Sequence, residues 1–269
     1  MRIRLIVSFV ALVLVASGCG ADSAGVDTSG TSSSSESSAV PTTAAPSTTA
    51  VESTTSTTTA ETVSPQLEPI ADADLPGEDL DIGPPAGTEV GVRSVRFDDT
   101  LNARLRPGTD QPVVVELDPT ASGLLMTGRK RLLPRSAWWE LDLGAEGFVW
   151  ASQAFLAPFG GTRDDTAWLI EHLDGEIPTS ASIDDLGQAV AAVYADFEGP
   201  EPLIVVVVEG SVGDLGEITI DVSNYPDDAV AGDRLVVFTT PFDDGFSLKS
   251  VEATSLCRRG VTEDGELCV

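Results

Sequence analysis

A long run of small polar residues near the N-terminus limits what this chain can fold into. Residues 21–65 consist mainly of Ser, Thr, Ala and Gly, and they contain no aromatic residue. Such a segment cannot bury enough apolar surface to offset the conformational entropy that is lost on ordering. With the acidic, proline-containing stretch that follows, we predict a disordered linker over residues 19–85. About 180 residues then remain for one or two small domains.

The first 18 residues have the pattern of an export signal. Arg2 and Arg4 precede an apolar run, and small residues lead up to Cys19. This apolar run is too short to be a permanent membrane-spanning helix. The ending Ala16-Ser17-Gly18-Cys19 resembles the lipobox of bacterial lipoproteins. The resemblance implies that Cys19 carries fatty acids such as palmitate and anchors the chain at the extracytoplasmic face of the cell membrane. The alternative is an ordinary signal peptide with an incidental cysteine.

The charge of the chain excludes one class of partner. Acidic residues outnumber basic ones by 43 to 15, which gives a net charge of -28. Nucleic acid would be repelled, so we predict no nucleic-acid partner. The simplest explanations of the acidity are solubility and adaptation to salt, and a cation-dependent role is the alternative. Arg129-Lys130-Arg131 with Arg135 is the only local positive patch, and it is typical of a solvated loop.

Residues 86–160 carry short strand-like runs separated by Pro, Gly and Asp, which predict a small all-β barrel. Three motifs, LNARLRPGT at residues 101–109, WWEL at 138–141 and GFVWAS at 147–152, resemble the bacterial SH3 domain. The resemblance implies an SH3-like barrel that binds cell-wall peptides or acts as a spacer.

Aromatic residues within these motifs suggest a ligand-binding surface. Side chains alternate between the two faces of a strand, so Trp139 is predicted to point into the core and Trp138 away from it. Phe148 and Trp150 share a face in the same way. We therefore predict that Trp138, Phe148 and Trp150 form an aromatic ligand surface. Packing beneath loops or against a neighbouring domain is the alternative.

Residues 161–269 show a different pattern. Ser182 with Asp185 predicts a helix cap, and apolar residues at helical spacing follow until Gly199-Pro200. Strand-like runs come next, with a hairpin turn at Asp243-Asp244-Gly245. We predict a small α+β domain in which a helix packs on an antiparallel sheet. Its C-terminal part resembles that of uncharacterised actinobacterial lipoproteins, a resemblance that implies no activity. The chain is thus predicted to be multidomain, with an SH3-like barrel followed by this α+β domain.

Cys257 and Cys268 are the cysteines that remain if Cys19 is lipidated. Export places them where oxidation persists, so we predict a disulfide that closes a short loop. A bridge between two chains and a reactive dithiol are the alternatives.

The residues that catalysis requires are scarce. The chain has one histidine, His172, and no G-x-S-x-G motif, and its adjacent acidic pairs are typical of turns and helix caps. We therefore predict no enzyme activity, no metal and no cofactor. The predicted function is a non-catalytic binding or scaffold role at the cell envelope, with a wall peptide, a glycan or an envelope protein as ligand. The alternatives are a carboxylate-based envelope hydrolase and an inhibitor or assembly partner of a secreted enzyme.

Overall fold

Strands dominate the part of the chain that the structure describes. The computed structural model describes residues 67–269, which form 14 strands, two α-helices and short 3-10 turns. The strands are arranged in two antiparallel sheets. The predicted signal peptide, the lipidation site at Cys19 and the linker up to residue 66 lie outside the described residues, so they stay predictions.

The first sheet is formed by eight short strands. These are β1 (Glu78–Asp79), β2 (Glu89–Val92), β3 (Leu101–Arg104), β4 (Val113–Leu117), β5 (Leu124–Leu133), β6 (Ser136–Asp142), β7 (Phe148–Ser152) and β8 (Leu156–Ala157). Their order across the sheet is β4-β3-β7-β6-β5-β2-β8, and β1 pairs with β5.

One face of the first sheet forms an apolar core. Trp139 and Leu141 of β6 are at most 1% exposed, and they pack with Val92, Met126 and Leu156. The alternation along β6 predicted that Trp139 and Leu141 point into the core, and the structure confirms it.

The second sheet has six strands and is associated with both helices. The elements are β9 (Phe159–Asp164), α1 (Thr166–His172), β10 (Thr179–Ser180), α2 (Ile183–Tyr194), β11 (Leu203–Val212), β12 (Gly216–Ser223), β13 (Val230–Phe242) and β14 (Gly245–Cys257). The strand order is β10-β14-β13-β12-β11, and β9 pairs with β14. The predicted hairpin turn at Asp243 and Asp244 is confirmed, because Phe242 pairs with Gly245 across it.

Helix α2 begins where its capping residue predicts. The Ser182 hydroxyl accepts a hydrogen bond from the Asp185 backbone N–H at 3.1 Å, which satisfies one of the free donors at the helix start. Leu186 and Val190 are fully buried against the second sheet. The helix ends at Tyr194, before the Gly-Pro pair that we expect to stop it.

Residues 67–85, which we call the strap, lie against the first sheet. We predict a linker that reaches residue 85, and the structure corrects this boundary. Leu67 pairs with Gly147, whose φ of 92° is a conformation that glycine adopts without strain. Leu75 is 7% exposed and packs on tryptophan side chains of the first sheet. Apolar side chains within an acidic stretch therefore fix the strap in place.

Basic residues of β5 bind the strap. The Arg129 guanidinium donates to the Ile70 carbonyl at 2.5 Å, and Lys130 donates to two carbonyl groups farther along the strap. Arg131 donates to three strap carbonyl groups and forms an ion pair with Asp79. The predicted solvated loop is thus a strand whose cations hold the acidic strap.

A buried ion pair joins the two sheets, and we call it the clasp (Ser94, Asp221 and Arg234). The Arg234 guanidinium donates to the Asp221 carboxylate at 2.7 Å and to the Val92 carbonyl at 2.8 Å. The same carboxylate accepts from the Ser94 backbone N–H at 2.7 Å. Asp221 is fully buried and Arg234 is 9% exposed, so these polar groups satisfy one another at the junction.

The predicted fold class, an SH3-like barrel followed by an α+β domain, is wrong. The described chain is mostly β, with two curled antiparallel sheets and only two helices. The strap adds a strand to the first sheet, and Pro158 alone separates β8 of that sheet from β9 of the second. Both sheets belong to one compact unit. Local strand patterns could not predict this arrangement, because it depends on pairings between distant segments.

The predicted disulfide is present. Cys257, at the end of β14, is bonded to Cys268, with their Cα atoms 5.1 Å apart and a sequence separation of 11. The bond closes a polar loop that has few apolar side chains of its own.

Candidate binding site

The second sheet and its helices border a cleft of about 610 Å³. Pockets of about 300–1,000 Å³ are typical of small-molecule sites. Side chains from β9, α1, α2 and β13 and from the loop before β13 converge on this space, which we call the aromatic cleft. Its functional side chains are Arg163, Asp165, Trp168, His172, Tyr194, Asp196, Phe197, Tyr225, Asp227 and Asp233.

Aromatic rings form two walls of the cleft. Trp168 and His172 lie four residues apart on α1, which places them on one helix face, and their ring centroids are 4.1 Å apart. The Tyr194 ring follows at 4.8 Å from Trp168. Phe197 and Tyr225 make an edge-to-face pair at 5.2 Å. Because Trp168 is 38% exposed, part of its ring surface remains available to a ligand.

An arginine and two carboxylates form the floor of the cleft. Arg163 donates from Nε to Asp165 at 3.1 Å and from Nη1 to Asp233 at 3.0 Å. The Tyr194 hydroxyl donates to Asp165, and the Tyr225 hydroxyl donates to Asp233, each at 3.1 Å. Each carboxylate is therefore held by one phenol and by the shared guanidinium.

This environment keeps the donors of the floor protonated. Burial, followed by the charge of Asp165, raises the pKa of the Tyr194 phenol, and burial with Asp233 does the same to the pKa of Tyr225. Burial lowers the pKa of Arg163, but hydrogen bonding to Asp233 and the nearby carboxylate charges outweigh it and leave that pKa raised. At neutral pH these groups are donors that are already bound to the carboxylates.

The charge balance of the cleft is negative. Asp196 and Asp227 add two exposed carboxylates at the rim to the two on the floor, against a single guanidinium. Hydrogen bonds from the Val230 and Ala229 backbone N–H groups lower the pKa of Asp227 and keep it ionised. Negative charge beside exposed aromatic faces is the environment in which organic cations bind.

The aromatic surface that we predict on the first sheet is not exposed. Trp138 is 2% exposed and Trp150 is 1% exposed, because Ile70 and Leu75 of the strap pack on them. Phe148 is half-buried and lies outside this cluster. Both tryptophans therefore pack beneath another segment of the chain, which was the alternative to a ligand-binding surface.

Sequence reasoning missed the residues of the aromatic cleft. The sequence patterns assign no site around Trp168, and Tyr194 and Phe197 belong to the apolar residues at helical spacing that follow Ser182. His172 is predicted to be a surface or structural residue. The spacing of Trp168 and His172 was the available signal, but Tyr225 reaches the same cleft from a distant loop that no local pattern identifies.

Within residues 67–269, no three His, Cys, Asp or Glu side chains are placed to hold a metal ion. None of the helices in this part of the chain is long and apolar enough to cross a membrane. In comparisons with known proteins, no family model, no curated protein and no solved structure matches this chain significantly.

Proposed function

We propose that this chain is a non-catalytic binding protein, anchored by lipid at Cys19 on the extracytoplasmic face of a membrane, and that its ligand occupies the aromatic cleft. The lipobox resemblance supports the anchor. The observation that carries the binding role is the cleft itself, where exposed aromatic rings stand over hydrogen-bonded carboxylates.

The chemistry of the floor favours one kind of ligand. The phenols of Tyr194 and Tyr225 and two nitrogens of Arg163 already donate to carboxylates. Because the floor mostly offers acceptors, a ligand gains most by bringing hydrogen-bond donors and positive charge. Among the envelope ligands considered, a wall peptide with a free amino group suits the cleft better than a neutral glycan.

The contacts in the aromatic cleft do not favour the alternative function, a carboxylate-based hydrolase. Asp165 and Asp233 share one guanidinium, and each accepts from a tyrosine. A general acid must release a proton to its substrate. These contacts already occupy both carboxylates with protein donors, so the cleft is better suited to holding a ligand than to cleaving one.

Retention on purified peptidoglycan tests this function. We expect the full chain to be retained, and Trp168→Ala to weaken retention roughly 5- to 10-fold because it removes the exposed ring face. The matched control is Phe242→Ala, which removes an aromatic side chain that is 53% exposed but lies outside the cleft. Equal retention of the Trp168→Ala variant, or release of soluble wall fragments by the wild type, would contradict the proposal.

The anchor has a separate test. Cys19→Ala removes the only sulfur that the lipobox can acylate, so we expect the protein to leave the membrane fraction. Fractionation with a labelled fatty acid measures both lipidation and location. A Cys19→Ala protein that stays membrane-bound would contradict anchoring through this residue.

A further inference from the structure

A group of arginines lines a concave surface on a chain whose net charge is -28. Two cavities of about 220 and 430 Å³ share Arg93 and Gln153 as common walls. The smaller cavity is also lined by Arg258 and Arg259, and the larger one by Arg135. We call these two cavities together the arginine groove.

The most buried arginines of the groove lack ion pairs among the described residues. Arg93 donates to the Leu156 carbonyl at 3.2 Å. Arg258 donates to the carbonyls of Tyr225 and Asp227, each at 2.9 Å. Carbonyl groups orient a guanidinium without neutralising it, so the positive charge of both side chains remains.

The positive charges of the other two arginines are also only weakly neutralised. Arg259 donates to the Val269 carbonyl oxygen at 3.2 Å and pairs with Asp228 at 3.3 Å. Because the Asp228 side chain is 89% exposed, water and salt screen the ion pair. Arg135 makes no hydrogen bond or ion pair with any residue between 67 and 269. Among residues 67–269, Asp228 is the only acidic residue that lines either cavity.

Neighbouring charges act on one another inside the groove. Burial, and after it the positive charge of Arg258, lowers the pKa of the Arg93 guanidinium, while Asp221 raises it. The positive charges of Arg93 and Arg258 thus repel each other, and an anion bound near both would relieve this repulsion.

An indole without a hydrogen-bond partner marks the same cavity. Trp139 lines the smaller cavity and is 1% exposed. Its Nε1 is buried and has no hydrogen-bond partner in the part of the chain that the structure describes. Because this nitrogen is not accessible from the cavity, the donors that the groove offers to a ligand come from its arginines.

We infer that the arginine groove binds a phosphate group. Three guanidinium groups against one carboxylate leave an excess of two positive charges in the smaller cavity. A phosphate monoester carries about -1.5 to -2 at neutral pH and presents three acceptor oxygens. Guanidinium groups match this arrangement with paired N–H donors. A single carboxylate would neutralise only half of the charge.

Calorimetric titration of the purified full chain with inorganic phosphate tests the inference. We expect binding that weakens several-fold when sodium chloride is raised from low to physiological concentration. Arg93→Gln should weaken it about 10-fold or more, and Arg135→Gln roughly 2- to 5-fold. Because Arg135 has no internal partner among the described residues, its loss leaves the fold intact. The control is Arg96→Gln, an exposed arginine outside the groove.

Two further experiments identify the chemical class of the ligand and the source of the phosphate. Acetate at equal concentration should bind at least 10-fold more weakly than phosphate, because it carries half the charge. Vesicles that contain phosphatidic acid, whose headgroup is a phosphate monoester, distinguish a lipid phosphate from a free one, and they are tested with the Cys19→Ala chain so that no acyl chain contributes. Arginine-dependent binding to either source supports a phosphate site.

Three results would overturn the inference. These are the absence of binding to both phosphate sources, equal affinity for acetate, and wild-type affinity in both the Arg93 and the Arg135 variants. The site does not depend on the aromatic cleft, so the proposed function and this inference can fail separately.

Discussion

Two arginine–aspartate clusters in this protein have similar chemistry but differ in how exposed the arginine is. In the clasp, Arg234 pairs with Asp221 at 2.7 Å, and both residues are at most 9% exposed. In the aromatic cleft, Arg163 pairs with Asp165 and Asp233, and the Arg163 side chain is 44% exposed. The surroundings, and not the residue types, therefore decide whether such a cluster is enclosed at a junction between segments or borders open space.

The partners of each cluster explain the difference. Asp221 accepts from Arg234 and from the Ser94 backbone, so its hydrogen bonds lie within the protein. The carboxylates of the cleft border open volume. A buried pair that loses one member leaves an uncompensated charge, whereas water can replace a lost partner in an open cleft.

The largest expected effect comes from breaking the clasp. Asp221→Ala leaves the Arg234 charge buried without its carboxylate, and we expect the free energy of unfolding to fall by about 3–5 kcal/mol. Urea denaturation measures the change. Asp214→Ala, at an exposed turn before β12, is the control and should change stability by less than about 0.5 kcal/mol. A loss below about 1 kcal/mol for Asp221→Ala would remove the distinction between the two clusters.

An intermediate effect is expected on the floor of the cleft. Asp233→Asn keeps the shape of the side chain but removes the charge that Arg163 and the Tyr225 hydroxyl share. Because Asp165 still pairs with Arg163 and the Arg163 side chain is 44% exposed, the cost should be about 1–2 kcal/mol in urea denaturation. A cost as large as that of Asp221→Ala would mean that the floor is as structural as the clasp.

A substitution in the wall of the aromatic cleft should weaken ligand binding without a large change in the free energy of unfolding. Trp168→Ala should change the free energy of unfolding by less than about 1 kcal/mol, because the ring is 38% exposed. Trp139→Ala is the contrast, since that ring is 1% exposed and its loss should cost about 3–5 kcal/mol. Thermal melts of both variants provide the measurement. Similar destabilisation by the two substitutions would show that the Trp168 wall is part of the core.

A third arginine–carboxylate pair should give the smallest effect. Burial raises the pKa of Glu140, although its contacts with Thr127 and Arg129 oppose this. Because the pKa of Glu140 is higher in the folded state than in the unfolded state, where it is near 4.5, protonated Glu140 stabilises the fold. This contribution is complete below the unfolded-state pKa and is lost as the pH rises through the folded-state pKa. Relative to the Glu140→Gln variant, the free energy of unfolding of the wild type should fall by less than about 1 kcal/mol as the pH rises between these two pKa values. Urea denaturation between pH 4 and 7 tests this expectation. A wild type that becomes more stable relative to Glu140→Gln as the pH rises would contradict it.

Local sequence patterns predicted the features that depend on neighbouring residues. The cap at Ser182, the alternation around Trp139 and the pairing of Cys257 with Cys268 all follow from short segments or simple elimination, and the structure confirms each. Their physical causes are contained within a few residues of sequence or in the small number of cysteines.

Long-range features could not be predicted in the same way. The strap covers Trp138 because Leu75, more than 60 residues earlier in the sequence, packs on it. The aromatic cleft needs α1, α2 and the loop before β13 to meet, and their meeting depends on strand order. An available clue was the acidic segment at residues 72–81, whose charge complements that of Arg129 and Arg131.

The strap also determines where mechanical load enters the folded part. A pull on the chain that precedes Leu67 acts first on its two backbone hydrogen bonds, from Leu67 N–H to the Glu146 carbonyl and from Phe148 N–H to the Leu67 carbonyl. If these open, the tension passes along the strap toward Leu75. Peeling the strap to that point uncovers the tryptophans beneath it while the core around Trp139 stays closed. A tether under force would thus change the apolar surface of the first sheet before it unfolds the protein.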